Sequence, residues 1–244
     1  MRGERVKKWG KLQNKMANKY VSFVSDEHFL ECIRYVCESY PLDEENIELT
    51  EHTLDLMKII FDMENHIVNL DEWTNTEKIR QTDKTVNNRI GIFHQKLLGG
   101  VNDWEDLKTG NILGVDLRKK DNSIFVELKN RYNTVKGEDL KHVFDKLKNV
   151  INKHPKALAY YAYIIPKKSG SGEKIWKTSQ RKSNDKIIEA WGSKIYEIVT
   201  GDKNALENTW KALPKAIEQV LGQKSVISQK DMKKLVGFFQ QTFR

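Results

Sequence analysis

Ile112-Leu113-Gly114-Val115-Asp116-Leu117, then Lys119-Lys120-Asp121-Asn122, then Ser123-Ile124-Phe125-Val126-Glu127-Leu128-Lys129 is the stretch that decides the fold. Two apolar runs flank a polar turn, which reads as a β-hairpin. Strand side chains alternate faces, so Phe125, Glu127 and Lys129 share one face. With the turn centred on Lys120-Asp121, Asp116 falls opposite Phe125. Glu127 is then its diagonal neighbour, with Cα atoms roughly 7–8 Å apart. Two carboxylates at that separation can converge on one hard cation, and Lys129 stands one pleat further on. Charge inside apolar strands is costly unless it is paired or used. Taken alone, an Asp followed after a ten-residue gap by Glu-x-Lys also fits an exposed hairpin face.

Working outward, the chain before the hairpin reads as helical. Phe29, Ile33, Val36 and Cys37 recur at helical spacing behind a capping Asp26, and Leu54, Met57, Ile60 and Phe61 repeat the pattern behind Thr50. A helix over 84–98 ends at Gly99-Gly100. Beyond the hairpin, residues 138–153 form an amphipathic helix stopped by His154-Pro155, and 157–165 form an apolar strand buried on both faces. Residues 167–174 read as a flexible basic loop, 186–191 as a short helix, 194–199 as a strand, and the tail from 204 as helical. Helices, then ββαβ(α)β, then helices make an α/β class: a mixed β-sheet core flanked by helices, with a helical N-terminal region. The expected division is 1–82 helical, 83–203 core and 204–244 C-terminal helices.

The 244 residues carry a net charge of +8 that is unevenly spread. Residues 26–72 hold 2 basic and 14 acidic side chains, whereas 129–186 hold 15 basic and 5 acidic. The basic block starts at Lys129 and suits a polyanion, and the acidic block would be repelled by one. No run of 18 apolar residues is present, and the basic N-terminus lacks the apolar stretch of a secretory signal. Cys32 and Cys37 lie about 140° apart around one helix, too divergent to bridge, which fits reduced thiols in a cytoplasmic protein. No CxxC or HxxxH spacing suggests a zinc site.

Gly114-Val115-Asp116 followed by Glu127-Leu128-Lys129, between helices at 84–98 and 138–153, resembles the PD-(D/E)xK nuclease superfamily. The runs 89–99 (RIGIFHQKLLG) and 127–137 (ELKNRYNTVKG) resemble the type II restriction endonucleases that read GGNCC and related sites. The resemblance covers about 84–200. It implies a restriction-endonuclease-like fold, Mg²⁺ held by Asp116, Glu127 and the Leu128 carbonyl, and Lys129 as the catalytic lysine. Val115 replaces the proline of the superfamily's name. The first helix often carries a Glu there, and here Gln95 is the candidate substitute. A divalent ion suits phosphodiester hydrolysis because it polarises the phosphoryl oxygen and offsets developing charge.

Arg131, Asn133, Thr134 and Lys136 follow the catalytic lysine and are expected to hold the phosphate backbone. Lys167 and Lys168 extend this basic surface. Arg181 and Lys182 are the first candidates for reading guanine edges. Double-stranded DNA is the expected partner. A palindromic site cut twice implies a homodimer. A cognate DNA methyltransferase is expected as a system partner without direct contact, and no membrane is involved. A structure-specific nuclease of repair or recombination, and a non-catalytic DNA-binding protein on a nuclease-like scaffold, stay open.

Overall fold

Six strands, ordered β1-β2-β3-β4-β6-β5, make the central sheet of the computed structural model, which describes residues 18–40, 54–108, 110–135, 137–178 and 181–244. The sheet is built from β1 (Trp104–Asp106), β2 (Leu117–Lys119), β3 (Ile124–Arg131), β4 (Leu158–Ile165), β5 (Gly172–Ile175) and β6 (Ile187–Trp191). Neighbours β1/β2, β2/β3 and β5/β6 are antiparallel, while β3/β4 and β4/β6 are parallel. The helices are α1 (Asp26–Cys37), α2 (Leu56–His66), α3 (Leu70–Gly99), α4 (Glu138–Lys153), α5 (Lys194–Thr200), α6 (Ala205–Leu221) and α7 (Gln229–Phe243). This is the mixed, helix-flanked α/β sheet expected from the sequence. Among the described residues no helix is long and apolar enough to cross a membrane.

Alternation along β3 explains the layering. Val126 and Leu128 join a core with α1, α3, α5 and α6, where Phe29, Leu97, Tyr196 and Ala216 are buried. Phe125 faces the other way, into a second core with Val143, Phe144, Leu147 and Val150 of α4. The parallel step from β3 to β4 requires a crossover, and α4 supplies it across that second face. The run 158–165 is buried on both sides because both layers cover it. The first core also takes in Phe239 of α7.

Several expectations are corrected. Residues 187–191 form a strand, with Ile187 in one core and Ala190 in the other, a two-residue alternation. Residues 194–200 form a helix instead of a strand. Their β-branched content favours strand, but Ile195, Tyr196 and Val199 bury at helical spacing, and Gly201 at φ 75° ends the turn. The stretch 167–174 is partly strand β5. Its loop is tied to the C-terminal helix through Gly170 N–H to the Thr242 carbonyl and Ser171 Oγ to the Phe243 carbonyl. Ser25, one residue before Asp26, caps α1. Helix α3 starts at Leu70, well before residue 84. The Thr50 cap lies outside the described residues, and α2 starts at Leu56 behind Asp55.

His94 of α3 is buried and bonded to the Tyr196 hydroxyl at 2.7 Å. Burial lowers its pKa from 6.5 to about 4. The folded state then binds fewer protons than the unfolded chain between those values, so stability falls as pH drops from about 6.5 toward 4. Thermal melts should show wild type losing on the order of 2 kcal/mol over that range that His94→Gln does not lose. Equal losses would refute a buried neutral His94.

Candidate active site

The hairpin register differs from the expected one. Leu117 pairs with Val126 and Arg118 with Phe125, so Asp116 is not opposite Phe125. It sits just before β2, its N–H bonded to the Val126 carbonyl at 2.9 Å. The turn is displaced toward Lys119–Asn122, where Asn122 N–H returns to the Lys119 carbonyl with Asn122 in the left-handed region. The displacement carries Asp116 up to Glu127 and Leu128. The Leu128 N–H donates to Asp116 Oδ2 at 2.7 Å, which fixes the carboxylate beside β3.

Asp116, Glu127 and Lys129 are brought together as the sequence suggested. Lys129 Nζ lies 2.7 Å from Glu127 Oε1 and 3.9 Å from Asp116 Oδ2. Glu127 is only 3% exposed. Its second oxygen, Oε2, accepts from Lys146 Nζ of α4 at 2.5 Å. Sequence reasoning missed Lys146. The available signal was its place between Val143 and Val150, on the edge of the apolar face of α4, within reach of the hairpin. Its stem crosses Gly114, where a Cβ would meet Lys146 Cδ at 2.9 Å and where φ is +67°. Glycine at that position leaves room for the lysine.

The charges perturb one another. Burial, and then the neighbouring Glu127, raises the Asp116 pKa from 3.8 to about 6 against the opposing pull of Lys129. Burial works against the Lys129 ammonium, but Glu127 and then Asp116 outweigh it and raise its pKa. An Asp116 carboxyl pushed up by burial and by a neighbouring carboxylate is a group a cation would relieve. The donor set fits a hard divalent ion: two carboxylates and a main-chain carbonyl, all oxygen. Among the described residues no three His, Cys, Asp or Glu side chains converge on a point. A two-carboxylate site leaves most coordination positions to water and substrate.

The other candidates separate. Gln95 turns to Asp106, donating to Oδ1 at 2.6 Å, and is engaged on β1. Arg131, Asn133 and Thr134 are exposed at the end of β3 in a turn in which the Thr134 hydroxyl donates to the Arg131 carbonyl. Lys136 lies outside the described residues. Lys167 and Lys168 are exposed at the rim of a cleft of about 590 Å³ whose floor carries Tyr161, Tyr163 and Glu189. The β3/β4 register places Tyr161 beside Glu127 and Tyr163 beside Lys129, so this cleft continues the carboxylate face. Arg181 is not poised for a base edge. It grips Asp145 of α4 through Nε at 2.7 Å and Nη2 at 2.5 Å. Lys182 beside it is exposed.

The raised Asp116 pKa has a measurable cost. The folded chain holds a proton that the unfolded chain releases between about 4 and 6, so stability falls as pH rises through that window. In chelator, Asp116→Asn should be more stable than wild type by about 1 kcal/mol at pH 8, with the gap closing by pH 4. Divalent metal should raise the melting temperature of wild type only. A variant no more stable than wild type at pH 8 would contradict the electrostatics described.

Residues 21–222 match the Eco47II restriction endonuclease family. The chain is 33% identical over 215 residues to the type II restriction enzyme Sau96I of Staphylococcus aureus, spanning 83% of this chain and 82% of that enzyme. It is 39% identical over 166 residues to the type II restriction enzyme Eco47II of Escherichia coli, spanning 63% of this chain and 68% of that enzyme. The family match takes in the whole sheet, α4 and helices α1 to α6, and on that extent the chain belongs to the Eco47II restriction endonuclease family.

Proposed function

We propose that this endonuclease hydrolyses both strands of DNA at a short palindromic GGNCC-like site, with Mg²⁺ as its metal ion. The observation that carries the proposal is Glu127, buried in the sheet between Lys129 and Lys146 with Asp116 alongside. Asp116, Glu127 and the Leu128 carbonyl would hold the ion, which supplies polarisation of the phosphoryl oxygen and charge neutralisation. The residues supply the rest. Lys129 places an ammonium where it orients a water for attack and balances charge growing on the phosphate. Lys146 holds Glu127 from the α4 side and keeps its carboxylate turned toward Asp116.

The basic surface beyond Lys129 suits the DNA backbone. Arg131, Asn133 and Thr134 stand at the end of β3, and Lys167 and Lys168 on the cleft rim, all within reach of phosphates. Lys136 is assigned the same role from the sequence. Lys182 is the nearer base-reading candidate in this chain, and Arg181 would have to exchange Asp145 for a guanine edge. The GGNCC-like specificity rests on the resemblance of 89–99 and 127–137. Two cuts in a palindrome call for a homodimer, and a cognate methyltransferase would protect the host's sites without touching this chain. A cytoplasmic location agrees with that role.

Cleavage kinetics on a plasmid carrying GGNCC sites test the assignment. Lys129→Ala should lower the rate by roughly 1,000-fold or more, and Lys146→Ala by about 10–100-fold, because Lys129 still pairs Glu127 there. A Lys129→Ala protein that cuts at the wild-type rate would overturn the mechanism. Replacing Lys167 and Lys168 together should weaken binding to all sequences and reduce the salt dependence by roughly two counterions. A loss confined to one sequence would instead make these lysines base readers.

A further inference from the structure

The loop between β4 and β5, residues 166–171, carries Lys167, Lys168 and Ser169 at the cleft. Its run of lysine, serine and glycine suits mobility, but it is pinned where it leaves the rim. Gly170 N–H donates to the Thr242 carbonyl at 3.0 Å, and Ser171 Oγ donates to the Phe243 carbonyl at 2.8 Å. The last carbonyls of a helix have no partners within it, so this loop supplies the cap of α7. Ser171 Oγ also accepts from Ser193 N–H at 3.0 Å, one residue ahead of α5. Gly170, at φ +107°, holds a backbone conformation that side chains oppose, and a Cβ at Gly192 would run into Ser171. One hydroxyl thus joins the loop to α7 and to the start of α5.

Helix α7 is anchored well enough to serve as a fixed point. The buried Phe239 ring lies 5.0 Å from the Trp210 ring of α6 and 4.7 Å from that of Phe243. Arg244 Nη2 bonds Glu207 Oε2 at 2.9 Å, and Lys211 pairs with the same carboxylate at 2.8 Å. Neither the family match, which ends at residue 222, nor the carboxylate site includes α7. The rim needs such a point. Lys167, Lys168, Lys174 and Lys177 line one cleft, where Glu189 at 3.1 Å and the Trp191 ring hold Lys174. Like charges around a cleft repel, so an untied loop would swing its lysines outward. Ordering that loop again on binding would weaken the complex.

We propose that Ser171 and the end of α7 are positioning elements for DNA. They hold the rim that bears Lys167 and Lys168 at the cleft before DNA arrives, so that its backbone is not ordered at the expense of binding. The effect reaches DNA through the two lysines and not through a contact with α7. It acts on affinity and leaves the chemical step alone, because the β2–β3 hairpin and α4 place Asp116, Glu127 and Lys129 without this loop. The inference rests on the reading of this cleft as a DNA-binding surface.

Amide hydrogen exchange and DNA binding, measured on the same full-length chains, test the proposal. The probe is a short duplex carrying one GGNCC site, with Ca²⁺ in place of Mg²⁺. Ser171→Ala should speed exchange of the Gly170 amide and weaken binding by about 10-fold. In Mg²⁺ its KM should rise by a similar factor while kcat holds. Phe243→Ala should act in the same way, and the double variant should bind about as weakly as either single one, since both release one loop. A Ser171→Ala protein that binds as wild type does, or a double variant whose losses multiply, would overturn the proposal. Replacing Lys167 and Lys168 together separates it from the reading beneath it. If that change and Ser171→Ala both leave binding intact, the cleft is not the DNA surface; if only Ser171→Ala does, the cleft stands and the brace fails.

Discussion

A carboxylate buried in a sheet and gripped by two ammonium groups is the constraint on which the architecture turns. Glu127 is nearly inaccessible, and each of its oxygens meets a different lysine. Desolvating such a charge is expensive, and an ion pair offsets the expense only with good geometry. Lys129 comes with β3 itself. Lys146 comes from α4, so the crossover helix must lie across the sheet at one particular height. Gly114 clears the path for its stem, and the displaced turn brings Asp116 close enough for the Leu128 N–H to hold it. Well-packed hydrophobic side chains often serve folding as well as a buried ion pair or better, so a cluster of this kind points to chemistry.

The two faces of the sheet divide the labour. One is an apolar core of α1, α3, α5, α6 and α7 that stabilises the sheet. The other begins as a core under α4 and opens past Tyr161 and Tyr163 into a lysine-rimmed cleft. The charge partition seen in the sequence follows the same division. The described part of the acidic block lies in α1, α2 and the start of α3, whereas Lys129, Lys146, Lys167 and Lys168 of the basic block stand on the carboxylate face and its cleft. The basic N-terminal tail falls outside the described residues.

Much of this was legible in the sequence because it rests on local rules. Alternation along Ile124–Lys129 put Glu127 and Lys129 on one face, and helical spacing in 138–153 gave α4 its buried side. What escaped depends on partners remote in the chain. A turn displaced by one residue changes every cross-strand pair, and it depends on Asn122 taking the left-handed region. The strand at 187–191 and the helix at 194–200 exchange their local propensities because β4 and the core around Tyr196 claim them. Lys146 was hidden because a lysine bordering an apolar stripe is normally a solvated one. Gln95 took its expected role from its place in the first helix of the resembled fold and Arg181 from the base contacts arginine favours; in the structure Asp106 and Asp145 engage them.

The face bearing Asp116, Glu127 and Lys129 is proposed above as the cutting centre of a site-specific endonuclease. Sequencing the ends of the fragments released from a large DNA in Mg²⁺ tests it most directly. The ends should be confined to one short palindromic GGNCC-like site, with the same stagger at every occurrence and none released by Asp116→Ala. Ends scattered without a common sequence, or identical ends from the Asp116→Ala protein, would contradict it.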